Sequence, residues 1–252
     1  MLTRELLNDI LRQLLDTEQL QDYAPNGLQV EGRAQIRKLV TGVTASQALL
    51  EAAVAADADA ILVHHGYFWK GESAAVVGMK QRRLKTLLTH DLNLFAYHLP
   101  IDVHPVLGNN VQLGQKLGLQ ALTPLAGCQP HGVVYSGKFA APKALATVIH
   151  ELEALLDRPI VCAEDTQRPI QQVAWCTGGG QGFIDQAAAA NMDLFITGEV
   201  SEQTIHSARE QAISFIAAGH HATERFGVRA VGEYLQTEHG IVHEFIDIDN
   251  PA

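Results

Sequence analysis

Cysteine is scarce in this chain: three residues in 252, at positions 128, 162 and 176, with no CxxC spacing. An odd number of widely separated thiols excludes a disulfide-stapled secreted scaffold and a cysteine-based zinc site. They read as reduced thiols in a cytoplasmic protein. Long apolar runs are missing too, since no stretch approaches the roughly 18 to 20 residues needed to span a bilayer. The opening segment MLTRELLNDILRQLL carries acids through its apolar pattern, unlike a signal peptide. No membrane role is therefore expected. Basic residues are in deficit, 18 against 28 acidic ones, and the formal charge of -10 works against a phosphate-neutralising nucleic-acid surface. Nucleic acid is disfavoured as a partner; a single nucleotide is not. What the chain has instead is histidine, 12 of them.

A chain of this length buries roughly three quarters of its unfolded surface, so neither disulfides nor a metal are needed merely to fold. Leu6, Leu7, Ile10, Leu11, Leu14 and Leu15 recur at helical spacing, and Pro25-Asn26-Gly27 marks a turn. Beyond it, apolar strand patterns at 38–43, 60–64, 93–97, 133–139, 159–163, 172–177, 193–197, 213–217 and 241–248 are interleaved with helical stretches. Those helices are expected at 46–56, 79–89, 109–117, 142–156, 182–190, 201–210 and 223–235. Strands separated by helices of about ten residues imply an α/β protein with mostly parallel sheets flanked by helices.

The chain also resembles itself. A shift of 134 lays Glu51–Val63 over Asp185–Thr197, with Asp59 on Asp193, and a shift of 122 lays His98-Leu-Pro-Ile-Asp102 on His220-His-Ala-Thr-Glu224. An internal duplication is the better reading of this than chance similarity between Ala-rich helices. It predicts two similar α/β lobes, 1–127 and 128–252, each with a His-x-x-x-carboxylate element after an equivalent strand.

Ligands of open parallel sheets gather beyond the carboxyl ends of the strands. Three segments put imidazole and carboxylate there: ILVHHG (61–66), FAYHLPID (95–102) and IAAGHHATE (216–224). Taken singly, each has an ordinary explanation as a surface pair, a cap or a turn. Their recurrence favours metal binding, and donors limited to His and carboxylate suit Zn, Fe, Mn, Co or Ni without choosing among them. Neighbouring side chains on a strand point to opposite faces, so His64 and His65 are expected to serve two adjacent ions, with Gly66 giving the chain freedom to turn. His220 and Glu224 share a face if a helix begins there. The Thr177–Gly182 loop is balanced between a phosphate cradle and a tight glycine turn. Lys80, Arg82, Arg83 and Lys85 read as a solvated helix face. Glu199 and Glu202 near His206 read as cleft-lining.

The strings YAPNGLQVEG (23–32), VTGVTAS (40–46), ILVHHGYFWKG (61–71), HLPIDVHPVLGNN (98–110), WCTGGG (175–180), FITGEVSEQTIHSARE (195–210) and AAGHHATER (217–225) resemble the Nif-three-like family. Its members are named GTP cyclohydrolase 1 type 2 homologues. The likeness covers nearly the whole chain and is to the short bacterial form, without the domain some relatives insert between the halves. It implies two divalent metal ions per subunit in the cleft between the lobes, a toroidal homohexamer, and His64, His65, Asp102, His220 and Glu224 as metal ligands. His98 and His104 are not firm ligands in that likeness; His98 is placed behind the ligands or as a proton carrier, and His104 has a weaker claim. The function expected is a metal-dependent hydrolase acting on a nucleotide or related small molecule. The alternative is a non-catalytic metal carrier, insertion factor or hexameric scaffold.

Overall fold

The hydroxyl of Thr3 accepts the backbone N–H of Leu6 at 3.1 Å and starts the first helix, whose Leu7 and Leu11 are fully buried while Leu6 faces solvent. The computed structural model describes residues 1–16 and 20–252. Its elements begin with β1 (Leu2–Thr3), α1 (Arg4–Leu14), β2 (Gly27–Val30), β3 (Gln35–Ile36), β4 (Lys38–Thr44), α2 (Gln47–Ala55), β5 (Ala60–His65), α3 (Gly78–Thr89) and β6 (Asn93–Ala96). They continue with α4 (Leu99–Val103), α5 (Asn109–Lys116), β7 (Gln120–Pro124), β8 (Tyr135–Lys143), α6 (Leu145–Leu156), β9 (Cys162–Glu164) and β10 (Ile170–Cys176). A 3-10 turn at Gln181–Phe183 leads into α7 (Ile184–Ala189), β11 (Leu194–Thr197), α8 (Glu202–Glu210) and β12 (Ser214–Ala217). The chain ends with α9 (His220–Thr223), α10 (Arg225–His239) and β13 (Val242–Phe245).

Two compact units result, and each is discontinuous in sequence: residues 1–101 with 227–249, and 102–226 with 250–252. This differs from the continuous lobes 1–127 and 128–252. The physical reason lies in both directions of exchange. β13 returns to pair in parallel with β4, joining Val242 to Lys38, so the C-terminal strand completes the first sheet. Val111 and Leu113 of α5 pack into the second unit's core beside Trp175, whose indole N–H donates to the Asn110 carbonyl at 2.8 Å. Asp102, expected in the first lobe, therefore opens the second unit.

The first unit's sheet has the order β13-β4-β5-β6-β2, parallel except for β2, which pairs antiparallel with β6. The second unit's sheet runs β7-β8-β10-β11-β12-β9, with β10, β11 and β12 parallel and β7, β8 and β9 antiparallel. The expectation of mostly parallel sheets is corrected here: both sheets are mixed. Crossover helices build the parallel centre, and the antiparallel strands β2, β7, β8 and β9 flank it. The central strands are buried on both faces, which is why they read as unbroken apolar runs.

One carboxylate device recurs in the two larger sheets. Asp59, at the start of β5, accepts the backbone N–H groups of Arg37 and Lys38 at 2.7 and 3.0 Å. Asp193, before β11, accepts those of Gln171 and Gln172 at 2.9 and 2.7 Å. In each case a carboxylate clamps the first residues of the neighbouring parallel strand. The order of three parallel strands and one antiparallel edge is also common to β4-β5-β6-β2 and β10-β11-β12-β9.

Candidate metal centre

In the first unit, His64 and His65 end β5 and His98 follows β6, because these parallel neighbours finish at the same edge of the sheet. One ring nitrogen from each of the three lies within 4.8 Å of the others, close enough to share an ion. On a continuing regular strand His64 and His65 would point apart. The strand ends at His65, its alternation lapses, and the two rings sit 4.5 Å apart. Gly66 is needed for space rather than for its backbone angle: a Cβ there would run into Gln29 and Ala96.

Each imidazole of this trio turns its Nδ1 toward an oxygen. His64 Nδ1 lies 3.2 Å from the Tyr97 carbonyl, His65 Nδ1 3.2 Å from the Thr44 hydroxyl, and His98 Nδ1 2.9 Å from the Asp22 carboxylate. The Tyr97 carbonyl and the Asp22 carboxylate can only accept, so they fix the Nδ1–H tautomer of His64 and His98 and leave Nε2 to the ligand side, the usual support of a metal-binding histidine. Asp22 is itself held by the Asn26 amide at 3.1 Å and the Leu99 N–H at 2.9 Å. Burial opposes its ionisation, but the hydrogen bonds from His98, Asn26 and Leu99 prevail and bring its carboxyl down to about 2. His98 thus faces a permanent anion.

In the second unit, Asp102 is buried and accepts the Asn109 amide at 2.9 Å and the Thr177 hydroxyl at 3.3 Å. His220 and Glu224 bracket the short helix α9, and their i,i+4 spacing brings Nε2 and Oε2 to 3.2 Å. Glu199 closes on the other side of the ring, with Oε1 2.7 Å from His220 Nδ1. Burial works against the imidazolium of His220, yet the carboxylates of Glu224 and Glu199 outweigh it and raise it to about 9. Cys176 is buried in the same unit. Burial lifts its thiol well above the ordinary range, and the Asp102 and Glu224 carboxylates lift it further, so it is an inert packing group.

The glycine loop resolves toward the tight turn. Its N–H groups at Thr177, Gly178 and Gly180 donate to Asn110, Thr223 and Thr197, all within the unit, rather than standing open to a phosphate. Lys80 pairs with Glu72 at 3.2 Å and lies over the Phe68 ring, so that part of the basic cluster is a solvated, locally paired surface. His104 accepts the N–H groups of Val106 and Leu107 and shapes a turn.

The sequence reading does not find Asp22, Asn26, Asn109 and Thr177, which orient the donors. Asp22 is 76 residues from His98, and no spacing rule links a loop carboxylate to a strand end. Glu199 is visible only through the repeat, where it falls opposite His65. Glu199→Gln keeps the size of the side chain but weakens the anionic support of His220. It is expected to lower the affinity for a divalent ion about 10- to 100-fold, measured by competition with a chelating dye.

A mixed sheet with His and carboxylate groups gathered at its strand ends defines an α/β protein whose side chains could hold a metal ion. The sequence matches the Duf34/NIF3 (NGG1p interacting factor 3) family over residues 1–251, and the chain belongs to that family. It is 61% identical to the GTP cyclohydrolase 1 type 2 homolog of Pseudomonas aeruginosa, covering 94% of each chain. The homolog of that name from Escherichia coli K12 is 53% identical over 98% of each. Among solved structures, the protein ybgI, described as of unknown function, superposes with a TM-score of 0.95 at 52% identity over both full chains. TTHA1606 from Thermus thermophilus gives 0.90 at 32% identity, again over both full chains. No helix among the described residues is long and apolar enough to cross a membrane.

Proposed function

We propose that the protein is a dinuclear divalent-metal hydrolase acting on a nucleotide or related small molecule. In this reading His64, His65, Asp102, His220 and Glu224 would hold two divalent ions. The observation that carries it is the set of supported histidines: the Nδ1 of His64, His65 and His220 each meets an oxygen, which leaves three Nε2 atoms as ligands. The donor set of imidazole and carboxylate fits Zn, Fe, Mn, Co or Ni. When bound, such a pair supplies Lewis acidity and a water acidified toward neutral pH.

The chain's own residues do the rest. Asp22 holds His98 in the tautomer whose Nε2 can take a proton from the attacking water and return it to the leaving group. Tyr23 Oη, 3.5 Å from that nitrogen, keeps it oriented before substrate arrives. The name shared by the relatives points to GTP, but no residue described above selects guanine. We also infer that the two sheets descend from one duplicated unit, supported by their shared strand order and the matched Asp59 and Asp193 clamps. Assembly into a toroidal hexamer is proposed from the family resemblance, and sedimentation of a single-chain species would overturn it.

Elemental analysis of protein purified with metal in the medium is expected to find about two ions per chain, and fewer than one in His64→Ala and Glu224→Ala. Metal-loaded protein is then assayed against nucleotides and phosphoesters. Equal turnover in wild type and both variants would sink the hydrolase. Tight metal with no turnover across the panel would assign the protein to metal delivery instead.

A further inference from the structure

The first unit carries an aromatic group that metal binding does not explain. Tyr23 is 56% exposed, and its ring centroid lies 5.6 Å from that of the half-buried Trp69. Both rings stand edge-on to His98, at 4.9 and 5.0 Å, with interplanar angles of 69° and 74°. His65 lies 5.9 Å from the indole. A tyrosine so exposed beside a buried, carboxylate-held imidazole is apolar surface kept open at a polar site.

The group is also held rigidly. The indole N–H of Trp69 donates to the Gly66 carbonyl at 3.0 Å, and its backbone N–H donates to Glu72 at 3.0 Å. The Lys70 N–H donates to the Tyr23 carbonyl at 3.0 Å and ties the two loops together. The residue before Trp69 is Phe68, at φ +65°, a conformation that a bulky L side chain rarely adopts. Strain of that kind persists where the surrounding structure enforces it, and it clusters at ligand sites. Here it turns the chain between Tyr67, packed into the core, and Trp69, packed on Tyr23.

We propose that Tyr23 and Trp69 form a stacking platform for a planar heteroaromatic ring, placing that ring beside His98. This rests on the reading above that the site acts on a small molecule, and it narrows the substrate class to compounds bearing such a ring. The aromatic faces bind any flat ring and supply no hydrogen-bond code, so affinity follows ring area more than ring identity.

The test is calorimetric titration of the metal-loaded full chain with guanosine, adenosine and ribose, in wild type and in Tyr23→Leu, Trp69→Leu and Trp69→Phe. Both nucleosides are expected to bind and ribose not to bind at the same concentrations. Each leucine variant is expected to weaken nucleoside binding about tenfold, in line with stacking of one base, while Trp69→Phe restores most of it and metal content is unchanged. Trp175 is fully buried, so quenching of wild-type tryptophan emission by a nucleoside reports on Trp69. Equal binding of ribose and nucleosides, absence of nucleoside binding, or unchanged affinity in both leucine variants would overturn the platform. So would a change confined to oligomeric state, which would assign the rings to a subunit interface. Nucleoside binding without turnover of any nucleotide would remove the hydrolase and leave the platform standing.

Discussion

Gly178→Ala is expected to strip the protein of at least one metal ion, weakening its binding about 100-fold or more, while the chain stays folded. Gly178 has φ +65°, and a Cβ there would collide with Glu224 Oε1 and come within 3.1 Å of His220 Nε2. Two effects are therefore superposed. The left-handed backbone costs an alanine about 1 to 2 kcal/mol in stability. The collision has to be relieved by moving the Glu224 carboxylate, because the loop itself is pinned: Gly178 N–H donates to Thr223 Oγ1, and its carbonyl accepts from Thr197 Oγ1 and Gly198 N–H. Gly240→Ala separates the two. Gly240 has φ +64°, and a methyl group there would meet nothing within 4 Å, so it carries the same backbone strain without the collision. Both variants should lose similar stability in urea melts, and only Gly178→Ala should lose metal. Equal metal content in the two would show that the loop does not press on Glu224.

That contrast shows where sequence and structure part company. Helices and central strands were legible, because apolar periodicity is written locally: β4, β5, β6, β11 and β12 fall within a residue or two of their expected ranges. The edge strands β2 and β7 were not, whereas β9 and β13 lie at or near expected strands. β2 spans four residues, Gly27–Val30, and pairs antiparallel with β6, Asn93–Ala96, so its evidence is non-local. The sheets consequently looked more parallel than they are. The same divide runs through the site. His64, His65, His98, Asp102, His220 and Glu224 stand out because chemistry-bearing residues crowd three strand ends. The residues that orient them, Asp22, Thr44, Asn109, Thr177 and Glu199, are scattered over loops and strand edges and become meaningful only when the chain folds. The glycine loop is the instructive case: a string of glycines reads as open backbone awaiting a ligand, yet the N–H groups of Thr177, Gly178 and Gly180 are taken by Asn110, Thr223 and Thr197.

Asp59→Ala is expected to destabilise the protein by about 3 to 4 kcal/mol, the largest single loss of stability anticipated away from the metal donors. The carboxylate is 1% exposed and satisfies the N–H groups of Arg37 and Lys38 along with the Arg33 guanidinium at 2.9 Å. Alanine leaves two part-buried backbone donors at the start of β4 without this acceptor and Arg33 without its ion pair, and each abandoned donor costs about 1 kcal/mol or more. Asp59→Asn keeps one acceptor in place and should cost roughly half as much. Acid provides a second axis. Burial works against the Asp59 carboxylate, but the hydrogen bonds from Arg37, Lys38 and Arg33 win and lower its pKa below the ordinary 3.8. A carboxyl depressed in the fold stabilises it fully above its unfolded value and loses that contribution as the pH falls through the folded one. Wild type should therefore lose stability below about pH 4 more steeply than Asp59→Asn, whose amide does not titrate in that range. Asp193, which clamps Gln171 and Gln172 in the second sheet, should behave in the same way when replaced by alanine. Its loss should be smaller, because among the described residues its carboxylate holds those two N–H groups and no guanidinium. Similar urea midpoints for wild type and Asp59→Ala would show that the strand start is held by the sheet itself, and the matched aspartates would then be a relic of the repeat rather than a working part of each unit.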